Sequence, residues 1–144
     1  MKKTFLLLFT AAFFIGCTTN AVTGRKQLSL FQESTLQQAA VSQYQSFLKE
    51  NKVVSGQTNK DAEMVKRVGT RIAQAITMYY GQKGLSKELE GYNWEFNLIE
   101  EDKTVNAFCL PGGKVAVYTG IIPVAKTDAA LAAVMGHEVG HAIL

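Results

Sequence analysis

Hydrophobic and polar positions along this chain change their spacing several times, and each change predicts a different element. From Thr4 to Ile15 the run "TFLLLFTAAFFI" is wholly uncharged and almost wholly apolar. It is too short to span a bilayer comfortably, and with Met1-Lys2-Lys3 ahead of it residues 1–16 read as an export signal. Residues 17–32 are more polar and are broken by Gly24, as expected of a tether. Leu36, Ala40, Tyr44, Phe47 and Leu48 then recur at helical spacing, and "NKVVSGQTNK" interrupts them. A second helix is predicted to start near Thr58, with Asp61 three residues on, and to carry Val65, Val68, Ile72, Ile76 and Tyr79 as far as Gly81.

Beyond Tyr92 the period shortens to two. Trp94, Phe96 and Leu98 alternate with Glu95 and Asn97, the pattern of a half-buried strand. Glu100, Glu101 and Asp102 lack the spacing of a calcium loop and read as a solvated turn. "TVNAFCL" and "KVAVYT" flank "LPGG", where Pro111 and Gly112 suit the central positions of a type II turn, so the two runs form an antiparallel pair. The predicted class is α+β: helices, a small antiparallel sheet, and a final helix.

That helix carries the candidate chemistry. "TDAALAAVMGHEVGHAIL" starts at Thr127 as N-cap with Asp128 in the first turn, and from Ala129 to Gly136 it holds no charge, which predicts burial on most sides. His137 and His141 lie four apart, about 40° around the axis and about 6 Å along it, so both imidazoles project from one face and can converge on one ion. Glu138 projects beside them. In an H-E-x-x-H pattern the imidazoles bind Zn²⁺ and the carboxylate acts as general base toward water. The competing reading is a pair of core histidines beside a surface glutamate. Both histidines of the chain fall inside the motif. Gly136 and Gly140, costly in a helix, point to close backbone approach or to simple tolerance.

Charge and cysteines narrow the partners. The net charge of +3 falls to +1 once Lys2 and Lys3 are removed with residues 1–16, a balance that predicts no nucleic-acid partner. "FIGC" resembles the lipobox of bacterial lipoproteins, which makes Cys17 the expected lipidation site; an uncleaved anchor or an ordinary signal peptide is the alternative. Cys109 is then the only remaining thiol, read as a small buried hydrophobe. A lipidated Cys17 would anchor the protein to a membrane, and Thr18 and Thr19, by resemblance to known sorting patterns, favour a bacterial outer membrane facing the periplasm.

"NAFCLPGGKVAVYTGII" followed by "LAAVMGHEVGHAIL" resembles the M48 family of zinc metallopeptidases, specifically bacterial periplasmic lipoprotein members and their mitochondrial relatives; "VTGRKQL" adds to the likeness. The resemblance implies a zincin-like (gluzincin) fold, Zn²⁺ as cofactor, and endopeptidase action on unfolded or misassembled envelope proteins. It also implies that Asn106 and the Ala107 backbone hold the substrate main chain as an added strand; without it, Asn106 merely begins a strand. Leu144 stands where metzincins have glycine, and the family's third zinc ligand, a glutamate, and a later basic residue are expected downstream of it. Residues 33–144 are therefore expected to be the N-terminal part of a longer peptidase domain, binding zinc poorly and inactive alone. A non-catalytic lipoprotein that binds or chaperones clients through an exposed edge strand is the alternative.

Overall fold

A computed structural model describes residues 17–28 and 31–144; the export signal expected at residues 1–16 lies outside the described residues. In chain order the strands and α-helices are β1 (Cys17–Thr19), β2 (Lys26–Leu28), α1 (Glu33–Glu50), β3 (Val53–Val54), α2 (Lys60–Gln82), β4 (Glu95–Ile99), β5 (Ala107–Leu110), β6 (Lys114–Tyr118) and α3 (Asp128–Ile143). Among the described residues no helix is long and apolar enough to cross a membrane.

The larger sheet has the order β3-β4-β6-β5 and is mixed, not antiparallel as expected. β5 and β6 do form an antiparallel pair, with Ala107 opposite Val117, but β6 then lies parallel to β4, with Phe96 opposite Val115. The reason is the lack of alternation in "KVAVY": Lys114 through Val117 are all buried, so this strand needs cover on both faces and takes an interior place. The turn between β5 and β6 is as expected, since Gly113 N donates to Leu110 O at 3.2 Å and Gly112 adopts φ 78°.

Two clusters of buried side chains show what covers the sheet. Tyr44 of α1 packs with Ile99 and Ala116 on one face, its phenol donating to Val115 O at 2.5 Å and accepting from Asn97 Nδ2 at 3.1 Å. On the other face, Val65 and Val68 of α2 and Leu131, Met135 and Val139 of α3 pack against Leu98, Val115 and Val117. The cap of α2 is Asn59, one residue after the expected Thr58; its side chain accepts from Asp61 N and Ala62 N at 2.9 and 3.1 Å. At α3 the expected cap is present, with Thr127 Oγ1 accepting from Ala130 N at 3.2 Å.

α3 departs from expectation in its burial. Only Leu131, Met135 and Val139 are fully buried, because i, i+4 spacing places them on one stripe; the opposite face is open. Residues 17–32 also depart from a plain tether, since β1 and β2 pair as a short antiparallel hairpin with Cys17 opposite Leu28. Its turn is closed locally: Asn20 Oδ1 accepts from Val22 N at 2.9 Å and Thr23 N at 2.8 Å, and Asn20 N donates to Arg25 O at 2.8 Å.

α2 approaches the sheet through a glycine. A Cβ on Gly69 would sit 2.3 Å from the Phe96 ring, inside any acceptable contact. Gly69→Ala is therefore expected to destabilise the chain by about 1–3 kcal/mol through overpacking, despite alanine's better helix propensity. Urea unfolding checks this, and an unchanged or raised midpoint would show that α2 does not need the close approach.

Candidate metal centre

Helical geometry places the motif side chains relative to the buried stripe of α3. His137 lies two residues on from Met135, about 200° around the axis, and so points away from the sheet; His141 follows one turn later. Their Nε2 atoms stand 3.0 Å apart and the rings meet edge to face at 79°. Both side chains are exposed, so burial alone does not require a metal at this pair.

The donor set nevertheless fits zinc. With Zn–N bonds of about 2.0–2.1 Å in tetrahedral geometry, two imidazole nitrogens are separated by about 3.3 Å, close to the spacing found here. At this distance one Nε2–H donates to the other nitrogen when the rings are in opposite tautomers, and the same two lone pairs can instead face a shared cation. Among the described residues no group of three or more His, Cys, Asp or Glu side chains is placed to hold a metal. The pair would supply two of the three protein positions a catalytic zinc requires.

Glu138 is half-buried and flanks the pair, about 100° around the helix from His137. It turns toward β5, where its carboxylate acts on Cys109. Burial, with Glu138 adding to it, pushes the Cys109 thiol up to about 12. This agrees with the reading of Cys109 as a small apolar filler.

The far end of α3 is held by side chains from two separate parts of the chain that sequence reasoning assigned no role. Tyr92 Oη donates to Ala142 O at 3.0 Å, and Asn20 Nδ2 donates to Leu144 O at 3.0 Å. Tyr92 is itself fixed by Trp94, with ring centroids 5.2 Å apart, and Trp94 stacks on Phe96 at 6.2 Å. Burial raises the Tyr92 phenol well above its ordinary range, with the Glu33 carboxylate contributing, so the hydroxyl stays a donor. The signal was present in the sequence as the alternation of Tyr92, Trp94 and Phe96. At the start of α3, Arg67 of α2 clasps Asp128 through Nε at 3.1 Å and Nη2 at 2.8 Å, which holds the Asp128 carboxyl below the usual range.

An open cleft of about 590 Å³ lies over the imidazoles, with Gly136 and Gly140 in its wall and Thr23 and Arg25 of the hairpin opposite. The glycines do not mark a close backbone approach here, because a Cβ on either would meet nothing within 4 Å. A second cavity of about 720 Å³ shares His141 and includes Tyr92, Cys109 and Pro111.

Asn106 and Ala107 stand at the other end of β5 and line neither space. Asn106 is exposed just before the strand, and its Oδ1 accepts from Ala107 N at 2.9 Å. Ala107 is 3% exposed and its side chain belongs to the core. Tyr118 N donates to Asn106 O at 3.1 Å, so in the alternating antiparallel pattern the backbone groups of Ala107 and Cys109 face the free edge of the sheet. The edge is available for pairing, but the Ala107 amide is already engaged by Asn106.

Comparison with known proteins identifies the family. The family model described as Peptidase family M48 matches residues 59–144. The mitochondrial metalloendopeptidase OMA1 of Arabidopsis thaliana is 52% identical over 58 residues, 40% of this chain and 12% of that protein. The mitochondrial metalloendopeptidase OMA1 of Homo sapiens is 29% identical over 144 residues, 99% of this chain and 26% of that protein. The Bos taurus protein of the same name is 29% identical over 142 residues, again 99% of this chain and 26% of that protein. The chain thus spans about a quarter or less of the length of these relatives. No solved structure matches it significantly. The expected location in a bacterial envelope is corrected by these relatives, which are named as mitochondrial; the bacterial periplasmic lipoprotein type finds no support among them. A short apolar run behind two lysines is a local compositional signal, and it does not specify which membrane system reads it.

Two measurements test the site. Tyr92→Phe is expected to weaken zinc binding about two- to tenfold, the equivalent of one lost hydrogen bond, as read by competition with a zinc indicator. Unchanged affinity would mean that Ala142 O does not need the phenol. Because burial holds its thiol protonated well above the ordinary thiol range, Cys109 is expected to resist iodoacetamide at pH 8 in the folded chain and to react after denaturation, as peptide mapping by mass spectrometry would show. Rapid labelling of the native protein would place the thiol in solvent.

Proposed function

The chain belongs to peptidase family M48, and on that premise we propose that α3 is the catalytic helix of a zinc-dependent metalloendopeptidase acting on unfolded or misassembled polypeptides. The observation that carries the proposal is the convergence of His137 and His141 Nε2 to 3.0 Å on an open face, with Glu138 beside them.

The two imidazoles would hold zinc, which supplies Lewis-acid polarisation of a peptide carbonyl and of water. Glu138 accepts the proton of the attacking water and returns it to the departing amine. Its half-buried position between His137 and β5 suits this role, since the base lies on the side from which a substrate paired to β5 would enter. The free edge of β5 offers main-chain pairing that is indifferent to side chains, which matches a preference for extended, unfolded segments over folded ones. To serve that edge at Ala107, Asn106 must release the amide it now caps. Its carboxamide is then free to bind substrate.

In the full-length protein, Glu138→Gln is expected to lower hydrolysis of casein or a quenched peptide by at least about 10²-fold while bound zinc, measured by elemental analysis, stays constant. Chelation of the unsubstituted protein should abolish the same activity and zinc should restore it. Persisting hydrolysis in the variant would remove Glu138 as the base, and indifference to chelators would remove the metal.

A further inference from the structure

The hairpin turn brings a cation to the cleft that the proposed chemistry does not use. Arg25 and Thr23 line the space that contains His137 and His141. Hydrogen bonds around Asn20 fix the Arg25 backbone: Asn20 N donates to Arg25 O at 2.8 Å, Gly24 N donates to Asn20 O at 2.9 Å, and Arg25 N donates to Thr23 Oγ1 at 3.4 Å. Gly24 supplies the turn with φ 68°, and Asn20 Nδ2 ties the whole to Leu144 O of the last helix. The guanidinium itself is exposed, and among the described residues no carboxylate pairs with it, whereas Arg67 clasps Asp128. The turn fixes the Arg25 backbone beside the cleft that the imidazoles line, and leaves there a guanidinium without a carboxylate partner among the described residues, a place suited to an anion. The sequence "VTGRKQL", read above as tether, is what forms it.

We propose that Arg25 is a substrate-binding residue: it recognises a carboxylate on the polypeptide lying across the imidazole pair, and so sets a preference for acidic segments or for a free chain end. Guanidinium and carboxylate match as a bidentate fork, which a lysine at the same place would not reproduce. This inference rests on the reading of α3 as a peptidase helix. It adds to that reading a specificity determinant outside the H-E-x-x-H motif, on an element that precedes the portion matched by the family.

The test is equilibrium binding of fluorescein-labelled decapeptides to the full chain carrying Glu138→Gln, loaded with zinc so that binding is read without cleavage. A neutral peptide with an amidated end is compared with the same peptide carrying central glutamates and with the same peptide ending in a free carboxylate. Either or both acidic forms are expected to bind about five- to tenfold more tightly than the neutral one, a modest gain because the site is open to solvent. Which form gains identifies the source of the carboxylate. Arg25→Gln should remove the gain while leaving neutral-peptide affinity unchanged, Arg25→Lys should restore only part of it, and added salt should shrink it. Equal affinities for acidic and neutral peptides, or an equal loss for all peptides in Arg25→Gln, would overturn the assignment while leaving the peptidase reading in place. Failure of every peptide to bind would overturn both.

Discussion

Leu131, Met135 and Val139 are buried against the sheet, and the orientation of everything chemical in this chain follows from that contact. Three apolar side chains spaced by four residues make a single stripe, and removing that stripe from water is worth several kcal/mol in transfer terms. Once the stripe is docked, the helix has no rotational freedom left. His137 and His141 must then face outward and Glu138 must lie on the flank, because the residue spacing fixes each angle relative to the buried side. A helix that rolled by one residue would bury an imidazole and expose Met135, and burying a polar ring without a partner is unfavourable.

Docking sets the roll of the helix, and contacts at its two ends set its position along the axis. At the start, Thr127 caps the first turn and Arg67 clasps Asp128, an exposed pair whose bidentate geometry contributes alignment more than stability. At the far end, Tyr92 Oη and Asn20 Nδ2 donate to the Ala142 and Leu144 carbonyls. Tyr92 belongs to the run of rings that also includes Trp94 and Phe96, so the same strand region that builds the core also fixes the turn bearing His141. Contacts at both ends thus limit sliding of the helix along its axis as well as its roll.

The cleft is a product of elements far apart in the chain. Its floor is α3, its opposite wall is a hairpin more than a hundred residues earlier, and the neighbouring cavity takes Cys109 and Pro111 from β5 and its turn. Glycine at positions 136 and 140 keeps the floor low beside the imidazoles, where open space and not close packing surrounds the backbone.

Local pattern determined much of this protein. The helical periods of α1 and α2, the Pro111-Gly112 turn, the Thr127 cap and the spacing of His137, Glu138 and His141 all depend on residues a few positions apart, and each was legible for that reason. What depended on distant partners was not. "KVAVY" reads as a strand, but only the cover supplied by α1 on one side and by α2 and α3 on the other makes it an interior one, parallel to β4 in a mixed sheet. The uncharged stretch of α3 predicts burial on most sides, yet only one stripe is fully buried, with Ala130, Ala132 and Val134 packed against the core in part. Tyr92 and Asn20 carried no motif, and Arg25 only a place in "VTGRKQL", because a phenol, an amide or a guanidinium acquires its role from the group it meets across space, and sequence spacing does not encode that meeting.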